Sequence, residues 1–149
     1  MDYEAIRGGL QEAVPFNSHV GLEIAEVGEG FGVVRLPNRS ELRNHVGSQH
    51  AGALFAAGEA ASGAAFVGAF AERLGSITAL AQDASIRYEK VAQGTITARG
   101  ELSQPGSELL AALDGEGVVR FCVDVVLSNA HGDCVAEMTV NWNVRTGQA

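Results

Sequence analysis

Between Ala51 and Ala71 the chain carries one ionisable side chain, Glu59, in a run otherwise built from Ala, Gly and a few larger apolar residues. No other stretch constrains the fold so severely. A run of about 20 such residues is long enough to cross a bilayer. Its Ala and Gly content makes it weakly lipophilic, however, and a mid-span acid costs about 2 kcal/mol or more. The run therefore reads as a central helix of a globular protein, apolar on every side and surrounded by other elements. At 149 residues the chain can bury roughly two-thirds of its unfolded surface around one core. One domain is expected over 1–149, with an N-terminal helical segment over 1–15 and a core over about 16–145.

The flanking sequence supplies what surrounds that helix. Ile6, Leu10, Ala13 and Val14 recur at roughly helical spacing before Pro15, which predicts a short leading helix. Val20–Val27 and Phe31–Leu36 flank Gly28-Glu29-Gly30 and predict a hairpin. Residues 37–50 read as a loop, and the apolar helix then runs from Ala51 to about Leu74-Gly75. Period-2 alternation predicts four further strands: 81–89, with Ala84, Ile86 and Tyr88 on one face, 95–102, 120–128 and 138–145. Asn129–Asp133 is the turn between the last two. Ser107–Leu113 is expected to form one or two helical turns, with Ser107 as N-cap, before Asp114-Gly115-Glu116-Gly117. The class is α+β, a curled antiparallel sheet wrapped around one long central helix, whose many Ala and Gly residues let the sheet approach closely.

Charge and motif content exclude other classes of function. Eighteen acids against ten cations give a net charge of −8, and no basic stripe offsets it, so nucleic acid is not an expected partner. Nor is a membrane. Cys122 and Cys134 can build neither a disulfide framework nor a four-thiolate zinc site, and the start Met1-Asp2-Tyr3-Glu4 lacks a signal-peptide pattern. A cytoplasmic protein with reduced thiols is expected, the cysteines serving as small packing residues in strands. Metal-ligand spacing, a nucleophile elbow, a phosphate loop and a dinucleotide fingerprint are all missing, and no metal or cofactor is expected.

Glu59 remains. A carboxylate within an apolar helix costs several kcal/mol unless it is paired, hydrated or protonated, and no Lys or Arg lies within a turn of it. The run preceding it, Asn44-His45-Val46-Gly47-Ser48-Gln49-His50-Ala51-Gly52, resembles the helix-start motif of hotdog-fold acyl-CoA thioesterases of the phenylacetate-pathway type. That motif is Asn, two residues, Gly, two residues, His-Gly-Gly, then an acid nine residues after the His; Asn44, Gly47, His50, Gly52 and Glu59 match it. Ala51 replaces the first Gly after the His, and Gly63 stands where some relatives carry a hydroxyl residue. The resemblance covers roughly residues 16–145. It implies the hotdog fold, hydrolysis of an acyl-CoA or acyl-carrier thioester, and a homodimer, with a dimer of dimers allowed.

The residues fit that chemistry physically. Glu59 suits a nucleophile or a base that activates water. The free N–H groups of a helix start, here Ala51 and Gly52, suit an oxyanion hole, and Ala51 loses nothing because the donor is backbone. Eight residues separate Ala51 from Glu59, about 12 Å along one helix. One chain therefore cannot bring both to one carbonyl. Two helices lying antiparallel across a two-fold axis can. Asn44 is expected to orient the nucleophile or water, and His50 to bond the loop or touch substrate. Gly47, Phe55 and Tyr88 are expected beside the substrate, with Phe66 and Trp142 lining the acyl slot. Arg87 and Lys90, with Arg39 and Arg43, are the candidate partners for CoA phosphates. The rivals are a hotdog hydratase or dehydratase using His45 and the acid, although the Pro-Gly elements of that motif are missing, and a non-catalytic acyl-CoA-binding module.

Overall fold

In the computed structural model, which describes residues 1–147, helix α3 (Ala51–Ala69) lies in the hollow of one six-stranded antiparallel sheet. The strands are β1 (Glu23–Gly28), β2 (Phe31–Leu36), β3 (Ile77–Tyr88), β4 (Ile96–Leu102), β5 (Val118–Ser128) and β6 (Cys134–Thr146), in the order β1-β2-β4-β5-β6-β3. Gln148 and Ala149 lie outside the described residues. The alternation read from the sequence has its cause in this geometry. Phe121, Val123, Val125 and Leu127 of β5 are buried and pair across the ladder with Trp142, Val140, Met138 and Ala136 of β6, all facing α3.

Small residues set the distance between helix and sheet. Gly32 of β2 pairs directly with Gly100 of β4. A Cβ on Gly32 would lie 2.4 Å from the Ala64 Cβ, and one on Gly100 2.8 Å from the Ala61 carbonyl oxygen. Both approaches are impossible for any residue but glycine, so the pair forms a slot into which Ala61 and Ala64 fit.

Several boundaries differ from those the sequence suggests. The leading helix α1 (Tyr3–Ala13) is followed by a second, α2 (Pro15–Val20), which Pro15 opens rather than prevents, because proline is suited to the first helical position. Val20 therefore ends a helix, against Gly21 in the left-handed region, and does not begin a strand. Helix α3 stops at Ala69, and a 3-10 segment over Ala71–Ser76 leads into β3, which starts four residues earlier than expected. The Asp114-Gly115-Glu116 stretch lies within helix α4 (Gly106–Glu116), capped by Gly117 at φ +75°, and Ser107 is a residue inside the helix rather than its N-cap.

Helix α3 is also not buried on every side. Its buried residues face the sheet, while Ala51, Gly52, Phe55, Glu59, Gly63 and Val67 form an exposed or half-buried stripe at i, i+4 spacing. By length and hydropathy α3 could span a membrane; in the fold it is the core helix, mostly covered.

Candidate functional site

The stripe begins where the helix does. His50, in extended conformation at φ −64° and ψ 141°, caps α3: its Nδ1 accepts from the Gly52 N–H at 2.8 Å. That bond engages one of the two expected oxyanion donors. The Ala51 N–H has no acceptor among the described residues, so it is the donor the helix start leaves available. His50 thereby caps the helix through Nδ1.

The loop before it is held from within. Asn44 Oδ1 accepts the backbone N–H groups of Val46 and Ser48 at 3.1 Å, and its Nδ2 donates to Ser48 Oγ at 2.8 Å. Gly47 completes the turn at φ +79°, a conformation that favours glycine, donating to the Asn44 carbonyl. Asn44 thus acts by shaping the loop, its carbonyl oxygen already taken. Gln49, buried beneath, donates through Nε2 to the carbonyls of Pro37 and Gly94 at 3.0 and 2.9 Å and ties the β3–β4 loop to the loop before the helix start. Its Oε1 is buried with no hydrogen-bond partner.

Glu59 sits two turns on, half-buried in the same stripe. Its carboxylate has no hydrogen bond or ion pair with any described residue, and burial pushes its pKa above the ordinary glutamate value. Behind it, the Ser62 hydroxyl donates to the Glu59 backbone carbonyl at 2.7 Å and accepts from Trp142 Nε1 at 3.3 Å. A buried indole N–H needs such a partner, and the bond fixes the helix turn carrying Glu59 against β6.

The remaining expected site residues are divided between two faces. Phe55, 37% exposed, lies on the stripe one turn before Glu59. Tyr88 reaches in from the end of β3 and donates its hydroxyl to the Ala51 carbonyl at 3.0 Å, tying β3 to the helix start. Arg87, its neighbour in the strand, therefore points to the opposite face, where it is exposed and 3.7 Å from Glu89. Lys90 follows just after the strand and is exposed. Arg39 is engaged with the Val20 carbonyl and Arg43 with Asn38. None of the four cations is brought to Glu59. Phe66 and Trp142 are buried, stacked at 5.2 Å within an aromatic cluster with Phe70 and Phe121, so in a single chain they are core rather than slot lining. His45 is exposed on the loop. Burial, then the nearby Glu137 and Glu89 carboxylates, raise the Cys134 thiol pKa, the wrong direction for a nucleophile. No cluster of three or more metal-ligating side chains exists among the described residues.

Gln49, Ser62 and Phe16 were not singled out in the sequence. Gln49 and Ser62 act through bonds to backbone groups, which leave no spacing pattern.

The curled sheet wrapped around α3 is the hotdog fold, shared with solved structures named as thioesterases. PA5026 from Pseudomonas aeruginosa, a protein of unknown function named as a probable thioesterase, is 25% identical and superimposes with a TM-score of 0.84 over 96% of this chain and 95% of its own. PaaI of the phenylacetic acid degradation operon of E. coli is 20% identical, with a TM-score of 0.74 over 95% and 91%. The thioesterase HI1161 from Haemophilus influenzae is 17% identical, with a TM-score of 0.75 over 98% and 92%. The sequence matches the family described as a domain of unknown function, DUF4442, over residues 3–144, and the chain belongs to that family. Comparison with curated proteins gives no match.

Proposed function

We propose that the protein is a cytoplasmic acyl-CoA thioesterase acting as a homodimer, with Glu59 of one protomer facing the Ala51 N–H of the other. The observation that carries this reading is the stripe on α3: the one unpartnered carboxylate of the helix and its one unpartnered N–H lie on the same open face, too far apart to meet within a chain. Lying antiparallel, two such stripes would place each carboxylate beside the other's helix start. The open outer edge of β3 would join its counterpart, completing the ladder.

In the proposed reaction the Glu59 carboxylate removes a proton from water, and the water oxygen attacks the thioester carbonyl carbon. Negative charge on the carbonyl oxygen is stabilised by the Ala51 N–H. Collapse breaks the C–S bond, and the proton held by Glu59 passes to the departing thiolate, giving free acid and thiol. Partial exposure of Glu59 supports general-base over nucleophilic attack, since water reaches it. Its raised pKa brings it closer to working pH, which makes it a stronger base. Asn44, Gly47 and His50 hold the loop and cap, Tyr88 orients the helix start, and Phe55 contacts the acyl or pantetheine portion. Lys90, exposed just after β3, is the cation proposed for the CoA phosphates.

Glu59→Gln tests the reading: kcat for thioester hydrolysis should fall by roughly 100-fold or more, with fold and acyl-CoA binding kept. A variant with near wild-type kcat would reject the mechanism. Loss of turnover in His45→Ala would favour the dehydratase instead.

A further inference from the structure

Beside the helix start, on the flank of the stripe away from β6, the structure holds a small cleft of about 200 Å³. Phe16 and Val20 of α2, Leu42, and Ala53 and Ala56 of α3 form its walls, with His50, Gly52 and Glu41 at the rim. Gly52 and Ala56 are one helical turn apart, and Ala56 lies three residues before Glu59, so the cleft opens onto the same face as the catalytic pair. Phe16 is 60% exposed at this position. It belongs to a six-residue helix, α2, whose buried residues are only Asn17 and Val20. A large aromatic ring left half in water by its own chain is available as a wall for something else.

We propose that this cleft binds the acyl group of the thioester and selects a compact, uncharged, apolar one. The inference rests on the thioesterase reading above and adds the substrate class. Gly52, next in the chain to the Ala51 N–H that would hold the carbonyl oxygen, lines this cleft, so an acyl chain has apolar space beside that donor in the same protomer. At about 200 Å³ the cleft is smaller than the roughly 300–1,000 Å³ of pockets that take drug-sized ligands, so it suits a short acyl chain. Glu41 stands at the rim, its carboxyl held below the usual pKa by its own backbone N–H, the Ser40 hydroxyl and Arg39, so it meets an acidic acyl tail as a like charge. Acyl selectivity is thereby written into α2 and α3 of one protomer, whereas Glu59 comes from the other.

The experiment compares kcat/KM for acetyl-, butanoyl-, succinyl-, hexanoyl- and palmitoyl-CoA in the wild type, Ala56→Leu, which fills the cleft, and Phe16→Ala, which removes an exposed wall. In the wild type kcat/KM should rise from acetyl to hexanoyl and level off beyond, with succinyl-CoA well below butanoyl-CoA. Ala56→Leu should lower the hexanoyl-to-acetyl ratio about tenfold, and Phe16→Ala by a few-fold. An unchanged ratio in both variants, with hydrolysis intact, would overturn the cleft and leave the thioesterase reading standing. If the wild type hydrolyses no thioester, that reading falls, and saturation-transfer NMR with the thioether hexyl-CoA decides the cleft separately. Transfer to the hexyl methylenes that is lost in Phe16→Ala supports it; no transfer in the wild type rejects it.

Discussion

At one border of the sheet the chain closes its own edge. Gln11 of α1 lies along β1, donating through Nε2 to the Leu22 carbonyl at 3.0 Å and accepting the Ile24 N–H through Oε1 at 2.7 Å, and Arg7 donates to the Ile24 carbonyl at 3.0 Å. Two side chains thus stand in for a neighbouring strand. At the opposite border β3 runs for 12 residues with no residue buried and nothing described along its outer edge. Leu80 is 66% exposed there and Tyr88 46%. A long unblocked edge invites pairing, and stable proteins cover it or reserve it for a partner. The contrast teaches that the same chain has a device for closing an edge and does not use it at β3, which lies on the side of α3 tied to the helix start by Tyr88.

The largest effect should come from blocking the open edge. Leu80→Glu places like charges near one another across a two-fold pairing of β3 strands. Sedimentation should show a folded monomer, and turnover should fall by about 100-fold, because each half-site loses its base. A monomer with full activity would break the comparison at its root. Opening the closed edge should cost stability and leave assembly alone. Gln11→Ala leaves the Ile24 N–H and the Leu22 carbonyl just before β1 unmatched, an expected loss of about 1–3 kcal/mol in chemical denaturation, with the same sedimentation profile.

A smaller effect concerns pH. The folded pKa of Glu59 is raised by burial, so its protonated form is the one the fold favours. Its favourable contribution is complete below the unfolded value, near 4.5, and is lost as pH rises through the folded pKa. Glu59→Gln should therefore be more stable than wild type at neutral pH, with the gap narrowing as pH falls through the folded pKa and closed below about 4.5. Thermal melts at several pH values check this; a gap that widens toward acid would contradict it.

Strands β5 and β6 were legible because one face is buried and the other wet, so side-chain type alternates with the backbone. Helix α2 was not, since six residues give no usable period and Pro15 reads equally as a stop or a first position. Within α4, Gly115 resembles a turn residue, but packing of Leu109 and Leu113 holds the helix through it. Glu59 stood out as the lone charge in an apolar run, and its place on an open stripe shows why it is tolerated there. The clamps made by Gln11, Gln49 and Ser62 were illegible, as each bonds a backbone group chosen by the fold rather than by a neighbour in sequence.

The central claim is that each site is shared, and complementation between two inactive variants tests it most directly. Ala51→Pro removes the one free N–H at a helix position that tolerates proline, after a His50 already extended. Alone, Ala51→Pro and Glu59→Gln should each be nearly inactive. Mixed dimers of the two, formed by co-expression or by refolding together, contain one intact site built from the Glu59 of one chain and the Ala51 N–H of the other. With random pairing the mixture should recover about a quarter of wild-type turnover. No recovery from a mixture in which mixed dimers are shown to form would place both groups in one chain and contradict the shared site.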